Sequence, residues 1–325
     1  TSGTLSCAGD NGSGQLGIGN TTSKQSFAPS PAGGFNTLSL GNQSACGLAS
    51  AAVWCWGANV VGQVGNGTQV DVALPLQIRS ALATSADYLH ACAIDLTGNG
   101  YCWGYNAHGQ VGNKTKQFTG GVTSPFLIPT QTWNAIATGF NHTCGIDGNG
   151  VVHCWGGNDF GQLATGNKLE NLDPTNVAMV GNVNRIDAGA YHSCGLDGLD
   201  KLYCWGGNYA GQLGTGDAMS RVTPVQITGD WKMVSLGWES SCGVRTDGSL
   251  WCWGSNDRGQ LGIGSRANQL SPVRVGTDAD WAMVSAKLSH TCGIKNDGSL
   301  WCWGDNTEGQ LALGNAWRTS LVQAP

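Results

Sequence analysis

The sequence predicts an all-β chain, a seven-bladed β-propeller with four-stranded blades whose seventh blade is incomplete, forming a single domain over residues 1–325. Three observations lead there: a repeat of roughly 50 residues, a pair of cysteines in most copies, and strand-and-turn patterning with no sustained helical period. Aligning the chain on Trp-Cys-Trp and its relatives places Cys7, Cys55, Cys102, Cys154, Cys204, Cys252 and Cys302 at one position of the repeat. Each is followed by a Gly, an Asn-containing loop and a Gly-Gln pair: Gly14-Gln15, Gly62-Gln63, Gly109-Gln110, Gly161-Gln162, Gly211-Gln212, Gly259-Gln260 and Gly309-Gln310. Periods of this size signal propellers or solenoids.

A second cysteine precedes six of those seven, at Cys46, Cys92, Cys144, Cys194, Cys242 and Cys292. Turn sequences such as Asp247-Gly248 and Asp297-Gly298 lie between the two, flanked by β-favouring residues, which reads as a β-hairpin. A turn midway between the cysteines sets them opposite each other, so the expected bridges are Cys46–Cys55, Cys92–Cys102, Cys144–Cys154, Cys194–Cys204, Cys242–Cys252 and Cys292–Cys302. Each closes a loop of about eleven residues, worth roughly 3 kcal/mol before strain is subtracted. Trp231-Lys-Met-Val-Ser precedes one hairpin, and Pro-Val-Gln-Ile at 224–227 precedes that, supplying the remaining strands. Four short strands make a blade, and blades bury one another's faces.

The chain opens on the strand carrying Cys7 and stops at Leu321-Val-Gln-Ala-Pro325, so Cys7 is expected to be unpaired here. The two strands that should complete its blade are expected to have been cut off at a chain boundary. The alternatives are donation by a neighbouring subunit or domain, and an open ring with an exposed sheet edge.

Composition bounds the compartment. The chain has 325 residues with 52 Gly, 13 Cys, 14 Trp, 11% charged residues and a net charge of -5. At this size a core does not need disulfides for stability, so dense cysteines point to an oxidising space. CxxC pairs and zinc-finger histidines are lacking, and no metal or cofactor is expected. No apolar run is long enough to span a bilayer and no signal-peptide core is seen, so the chain is expected to be soluble and already processed, and with its cysteines it reads as a secreted or cell-surface protein without a membrane span.

Gly254-Ser-Asn-Asp-Arg-Gly-Gln-Leu-Gly262, together with Gly-x-x-His-x-Cys-Gly before a hairpin ending in Trp-Gly, resembles the regulator of chromosome condensation repeat family. The resemblance covers essentially the whole chain and implies a seven-bladed propeller; the cysteine-clamped variety is similar to repeats of secreted proteins rather than the nuclear founder. Negative charge and the absence of a basic tail oppose a nucleic-acid surface.

Recurring Trp56, Trp103, Trp155, Trp205, Trp253 and Trp303 read as blade-to-blade core, with Ala8 in this slot of the first copy. His90, His142, His192 and His290 share another slot, where Ser44 and Ser240 stand in two copies. They read as structural, each imidazole tying a loop carbonyl, because equivalent positions of a propeller lie too far apart to share one ion. The residues just before that slot do not repeat, and a binding face is expected there: Tyr88, Leu89, Phe140, Asn141, Tyr191, Trp238, Glu239 and Leu288. The bland alternative is partly buried aromatics sealing the channel.

Enzyme signatures are lacking, so catalysis is not expected. Asp147, Asp247 and Asp297 belong to hairpin turns. Three functions stay open: an extracellular module binding a protein partner, a structural subunit of a surface appendage that self-associates through the incomplete blade, and a lectin-like propeller binding glycan. Sequons at Asn11, Asn20, Asn42, Asn66, Asn113 and Asn141 are N-glycosylation candidates for a glycoprotein, with Asn66 and Asn113 in matching loops.

Overall fold

Alternating short strands and Gly-centred turns form antiparallel ladders throughout the computed structural model, which describes residues 3–178, 182–314 and 316–324. Thr1, Ser2 and Pro325 lie outside the described residues. No helix occurs among the described residues. The chain divides into two compact units, one of Thr1–Gly157 with Glu170–Asn176, the other of Asn158–Leu169 with Val177–Pro325.

In the first unit, β1 (Thr4–Gly9) pairs with β2 (Lys24–Gly33) in a two-stranded sheet. A four-stranded sheet follows, β3 (Phe35–Leu40), β4 (Ser44–Ala49), β5 (Ala52–Gly57) and β6 (Val72–Ser80). The rest of this unit is one seven-stranded ladder that resolves into two four-stranded sheets sharing the 22-residue strand Gln117–Thr138. Its first part pairs with Asn99–Asn106 and its end, from Trp133, with His142–Asp147. The second unit repeats the device: Arg221–Leu236 pairs with Lys201–Gly206 and then with Ser240–Arg245. A separate four-stranded sheet, Trp281–Lys287 to Arg318–Gln323, ends the unit.

The hairpins explain the cysteine spacing. In the pair Ser240–Arg245 and Leu250–Gly254, Cys242 faces Cys252 and Ser241 faces Trp253. The turn is closed by Arg245 N–H to Ser249 O (2.9 Å), and the Asp247 carboxylate accepts Ser249 N–H at 2.9 Å. All six cysteine pairs named above are bonded across such hairpins, each with a Cα–Cα separation of 4.1 Å. Glycine after the first cysteine makes room for the tryptophan that opens the neighbouring strand: a Cβ on Gly243 would stand 2.8 Å from Trp231.

The Asn-x-x-Gly-Gln loop is held by its own buried side chains. The Asn256 amide donates to Ser265 O (3.0 Å) and Ala267 O (3.1 Å), while its oxygen accepts Leu261 N–H at 3.0 Å. The Gln260 side chain accepts Arg258 N–H at 2.9 Å. Its carbonyl does a second job, accepting the indole N–H of Trp303 in the next sheet at 2.8 Å and the Thr291 hydroxyl at 2.9 Å. The same indole bond recurs from Trp56, Trp103, Trp155, Trp205 and Trp253 to Gln15, Gln63, Gln110, Gln162 and Gln212. These six tryptophans are 0–1% exposed, so the polar N–H that burial would otherwise penalise is satisfied in each of the six.

In two copies the histidine slot joins this bond through a hydroxyl. His90 Nε2 lies 2.9 Å from Thr143 Oγ1, and His192 Nε2 lies 3.0 Å from Ser241 Oγ. Each hydroxyl already donates its hydrogen to a Gln carbonyl, Thr143 to Gln110 and Ser241 to Gln212. Its oxygen must therefore accept, which assigns a proton to Nε2 of His90 and His192. Burial pushes His142, in the same slot, down to about 3.

Candidate functional site

At the end of each sheet where the first strand turns into the second, the residues before the histidine slot are fixed by backbone bonds on both sides. In the second unit, Ala190 N–H donates to Trp238 O and Trp238 N–H to Leu288 O, each at 3.2 Å. The carbonyls of Tyr191 and Glu239 accept from Gly207 N–H (2.7 Å) and Ser255 N–H (2.8 Å). The turns are tight enough that a Cβ on Gly189 would stand 2.4 Å from His192 Cε1. Side chains that leave this rim therefore do so from an immobilised backbone.

Four aromatic rings follow one another along it. Tyr209 and Phe160 have centroids 5.9 Å apart, Phe160 and Tyr191 4.9 Å, and Tyr191 meets Trp238 edge-on at 6.5 Å. Phe160, Tyr191 and Trp238 are half-buried and Tyr209 is exposed. The ridge carries one carboxylate: the Tyr209 hydroxyl donates to Glu239 Oε1 at 2.8 Å. Burial, and then that hydrogen bond, push the Tyr209 phenol upward, so it stays a neutral donor. Such tilted and edge-on contacts are worth about 0.5–1.5 kcal/mol each beyond area burial, and they rigidify the ridge.

Of the eight residues expected on a binding face, Tyr191, Trp238, Glu239 and Leu288 belong to this unit and the first three join the ridge. Tyr88, Leu89, Phe140 and Asn141 belong to the other unit, where Tyr88 and Phe140 pack at 4.2 Å. Tyr88 and Leu288 both hold positive φ, 34° and 46°, a conformation that costs non-glycine residues energy and sits here in the turns. Asn141 is a correction: it is 4% exposed, its carbonyl accepts Gly157 N–H at 2.7 Å, and it offers little surface to a partner. Sequence reasoning missed Phe160 and Tyr209, which come from Asn-x-x-Gly-Gln loops. The signal was available, because the two positions between Asn and Gly vary among copies as freely as the rim does.

Two glycosylation candidates are also corrected. Asn11 is fully buried and its amide donates to Asn20 O (2.8 Å) and Thr22 O (3.2 Å), and Asn141 is buried as noted. Asn20 and Asn42 are exposed, and Asn66 and Asn113 half-exposed. Cys7 is a free thiol, half-buried, and burial pushes it up to about 11. Among the described residues no three His, Cys, Asp or Glu side chains form a group able to hold a metal ion.

The RCC1-like domain family matches residues 4–324. The chain belongs to that family. As an RCC1-like domain it is 27% identical to the ultraviolet-B receptor UVR8 of Arabidopsis thaliana over 187 residues, 52% of this chain and 40% of UVR8, so it spans less than half of that relative. Its fold is that of Prp20p from Saccharomyces cerevisiae, with a TM-score of 0.88 at 20% identity over 98% of this chain and 85% of the other. Human WBSCR16 is similar to the same degree, with a TM-score of 0.88 at 18% identity over 99% of this chain and 94% of the other. The Prp20p structure is described with binding to Gsp1p and histones, which is a property of that protein. The RCC1-like domain is thus an all-β propeller-class chain, and its sheets are the antiparallel four-stranded sheets described above.

Proposed function

We propose that this chain is an extracellular protein-binding module that engages its partner through the rim aromatics. The observation that carries the reading is the ridge Tyr209–Phe160–Tyr191–Trp238 with Glu239, half-exposed on a backbone fixed at both ends. Rigid aromatic area beside a few oriented polar groups is the composition of an interface hot spot, because little side-chain entropy is lost on docking. Six disulfides support the extracellular part, since such bonds persist in oxidising compartments. Capture from the extracellular fraction of the source organism with the wild type and with Trp238→Ala or Tyr191→Ala tests it. A partner retained by the wild type and lost by both variants, at unchanged thermal stability, is the expected result; equal capture by all three would end this reading.

A structural, self-associating subunit is the second reading, and the two-stranded sheet favours it. Cys7 occupies the slot that is disulfide-bonded in the six other copies, and among the described residues β1 pairs with β2 alone. Light scattering behind size-exclusion chromatography separates the two readings: a monomer at all concentrations excludes self-assembly. Glycan binding on the same ridge predicts sugar-array signals that Trp238→Ala abolishes. If the protein passes through a glycosylating secretory pathway, acceptors are proposed at Asn20, Asn42, Asn66 and Asn113 and not at Asn11 or Asn141, which mass mapping of deglycosylated peptides would check.

A further inference from the structure

One loop slot, compared between two copies of the repeat, assigns a second binding site. In the first unit, His108 stands just before Gly109-Gln110, and Lys116 stands ten residues beyond Asn106. Between them they clasp Glu170, the residue before the last strand, Asn171–Asn176, of the next sheet. His108 Nδ1 is 2.5 Å from Glu170 Oε1, and Lys116 Nζ pairs with Glu170 Oε2. In the second unit the corresponding residues are Arg258, just before Gly259-Gln260, and Arg266, ten residues beyond Asn256. The residue before the last strand, Arg318–Gln323, of the next sheet is Trp317. Two basic residues are kept while the carboxylate is replaced by an indole.

Trp317 holds both guanidinium groups by cation–π contact, with Arg258 Cζ at 4.4 Å and Arg266 Cζ at 4.7 Å from the ring centroid. Arg266 is further fixed by its Nε–H bond to Asp257 O at 2.6 Å. Both arginines are exposed, and among the described residues neither forms an ion pair with a carboxylate. Two charged forks are thus pre-oriented over an apolar plane without the anion that the equivalent slot holds in the other unit.

We propose that Arg258, Arg266 and Trp317 form a receptor for an Asp or Glu side chain of a protein partner, occupying from outside the place that Glu170 fills from within. The chemical class follows from the internal precedent: two basic groups at these slots bind a carboxylate. The indole adds a face for the neighbouring apolar part of the same segment, so the ligand is an acidic peptide segment rather than a free anion. The biological meaning rests on the protein-binding reading above, but the site is separate from the aromatic ridge and can be tested apart from it.

The test is a titration of the full chain with acetylated tetraglutamate peptide at low salt, followed by NMR at the Arg258 and Arg266 Nε–H and Trp317 indole N–H resonances. Saturable shifts are expected below about 10 mM peptide, with no response to tetralysine. Arg258→Ala with Arg266→Ala should weaken the response of Trp317 at least tenfold. Trp317→Glu, which supplies the carboxylate from within as Glu170 does, should remove the response of both arginines while leaving the chain folded. Trp238→Ala should change nothing, which separates this site from failure of the ridge. Absence of shifts at about 10 mM, an undiminished response in Trp317→Glu, loss of the response in Trp238→Ala, or tighter binding of inorganic phosphate than of the peptide would each overturn the assignment.

Discussion

The two-stranded sheet of β1 and β2 and the hairpin of Ser240–Arg245 with Leu250–Gly254 are built from the same repeat, yet identical slots do different work in them. Cys252 is bonded across its hairpin, whereas Cys7 is a half-buried free thiol. Trp253 is fully buried and donates to Gln212 O, whereas Ala8 stands in that slot in β1. The lesson is that a slot's contribution belongs to the pair of neighbouring sheets, not to the residue. Substitutions at matching slots should therefore differ by kilocalories.

The largest difference is expected at the tryptophan. Trp253→Ala should cost about 3–5 kcal/mol by lost packing and the loss of one of the two hydrogen bonds to the Gln212 carbonyl, read as a lowered denaturation midpoint. Replacing Cys242 and Cys252 together by Ser should cost roughly 2–4 kcal/mol, against less than about 1 kcal/mol for Cys7→Ser. Equal costs at the two positions would break the comparison. Below these comes the glycine after the Gly-Gln-Leu run. Gly262 has φ 70° and a Cβ there would stand 2.8 Å from Trp303 Nε1, so Gly262→Ala should cost about 1–3 kcal/mol. Ala164 holds the same slot at φ 51°, and Ala164→Gly should stabilise by up to about 1 kcal/mol.

Smaller still is a pH effect that sharpens the contrast among hairpins. Burial pushes the Asp147 carboxyl up, but hydrogen bonds from Val151 N–H, His153 and Asn149 N–H outweigh it and hold its pKa below the usual value. A depressed folded-state pKa contributes stability that is present above the unfolded value, near 3.9, and fades as pH falls through the folded one. The difference in melting temperature between wild type and Asp147→Ala should thus be full at neutral pH and shrink below about pH 4. At Cys7 the smallest effect is chemical: iodoacetamide at pH 8 should label it slowly in the folded chain and rapidly after unfolding.

The hairpins, their cysteine pairs and the Asn and Gly-Gln loops were legible because each is a local pattern seen several times over. The histidine's partner was not, because Thr143 lies 53 residues from His90 and only the packing of consecutive sheets brings them together. Phe160 escaped for the same reason: its role depends on Tyr191 in the following sheet rather than on its own loop. Periodicity finds what every copy shares, whereas binding residues are those the copies do not share, and their neighbours must be known in space.

Each glutamine carbonyl that receives an indole and a hydroxyl from the following sheet sets where the chain can be cut and rejoined. A module exchanged at sheet boundaries would carry Trp253 and Ser241 away from Gln212 and meet a foreign loop in their place. Cut inside the Asn-x-x-Gly-Gln loop, ahead of the glutamine, the same module would travel with its acceptor. Duplication and recombination of this chain are thus least disruptive when the crossover falls within that loop, and a designed array should be spliced there.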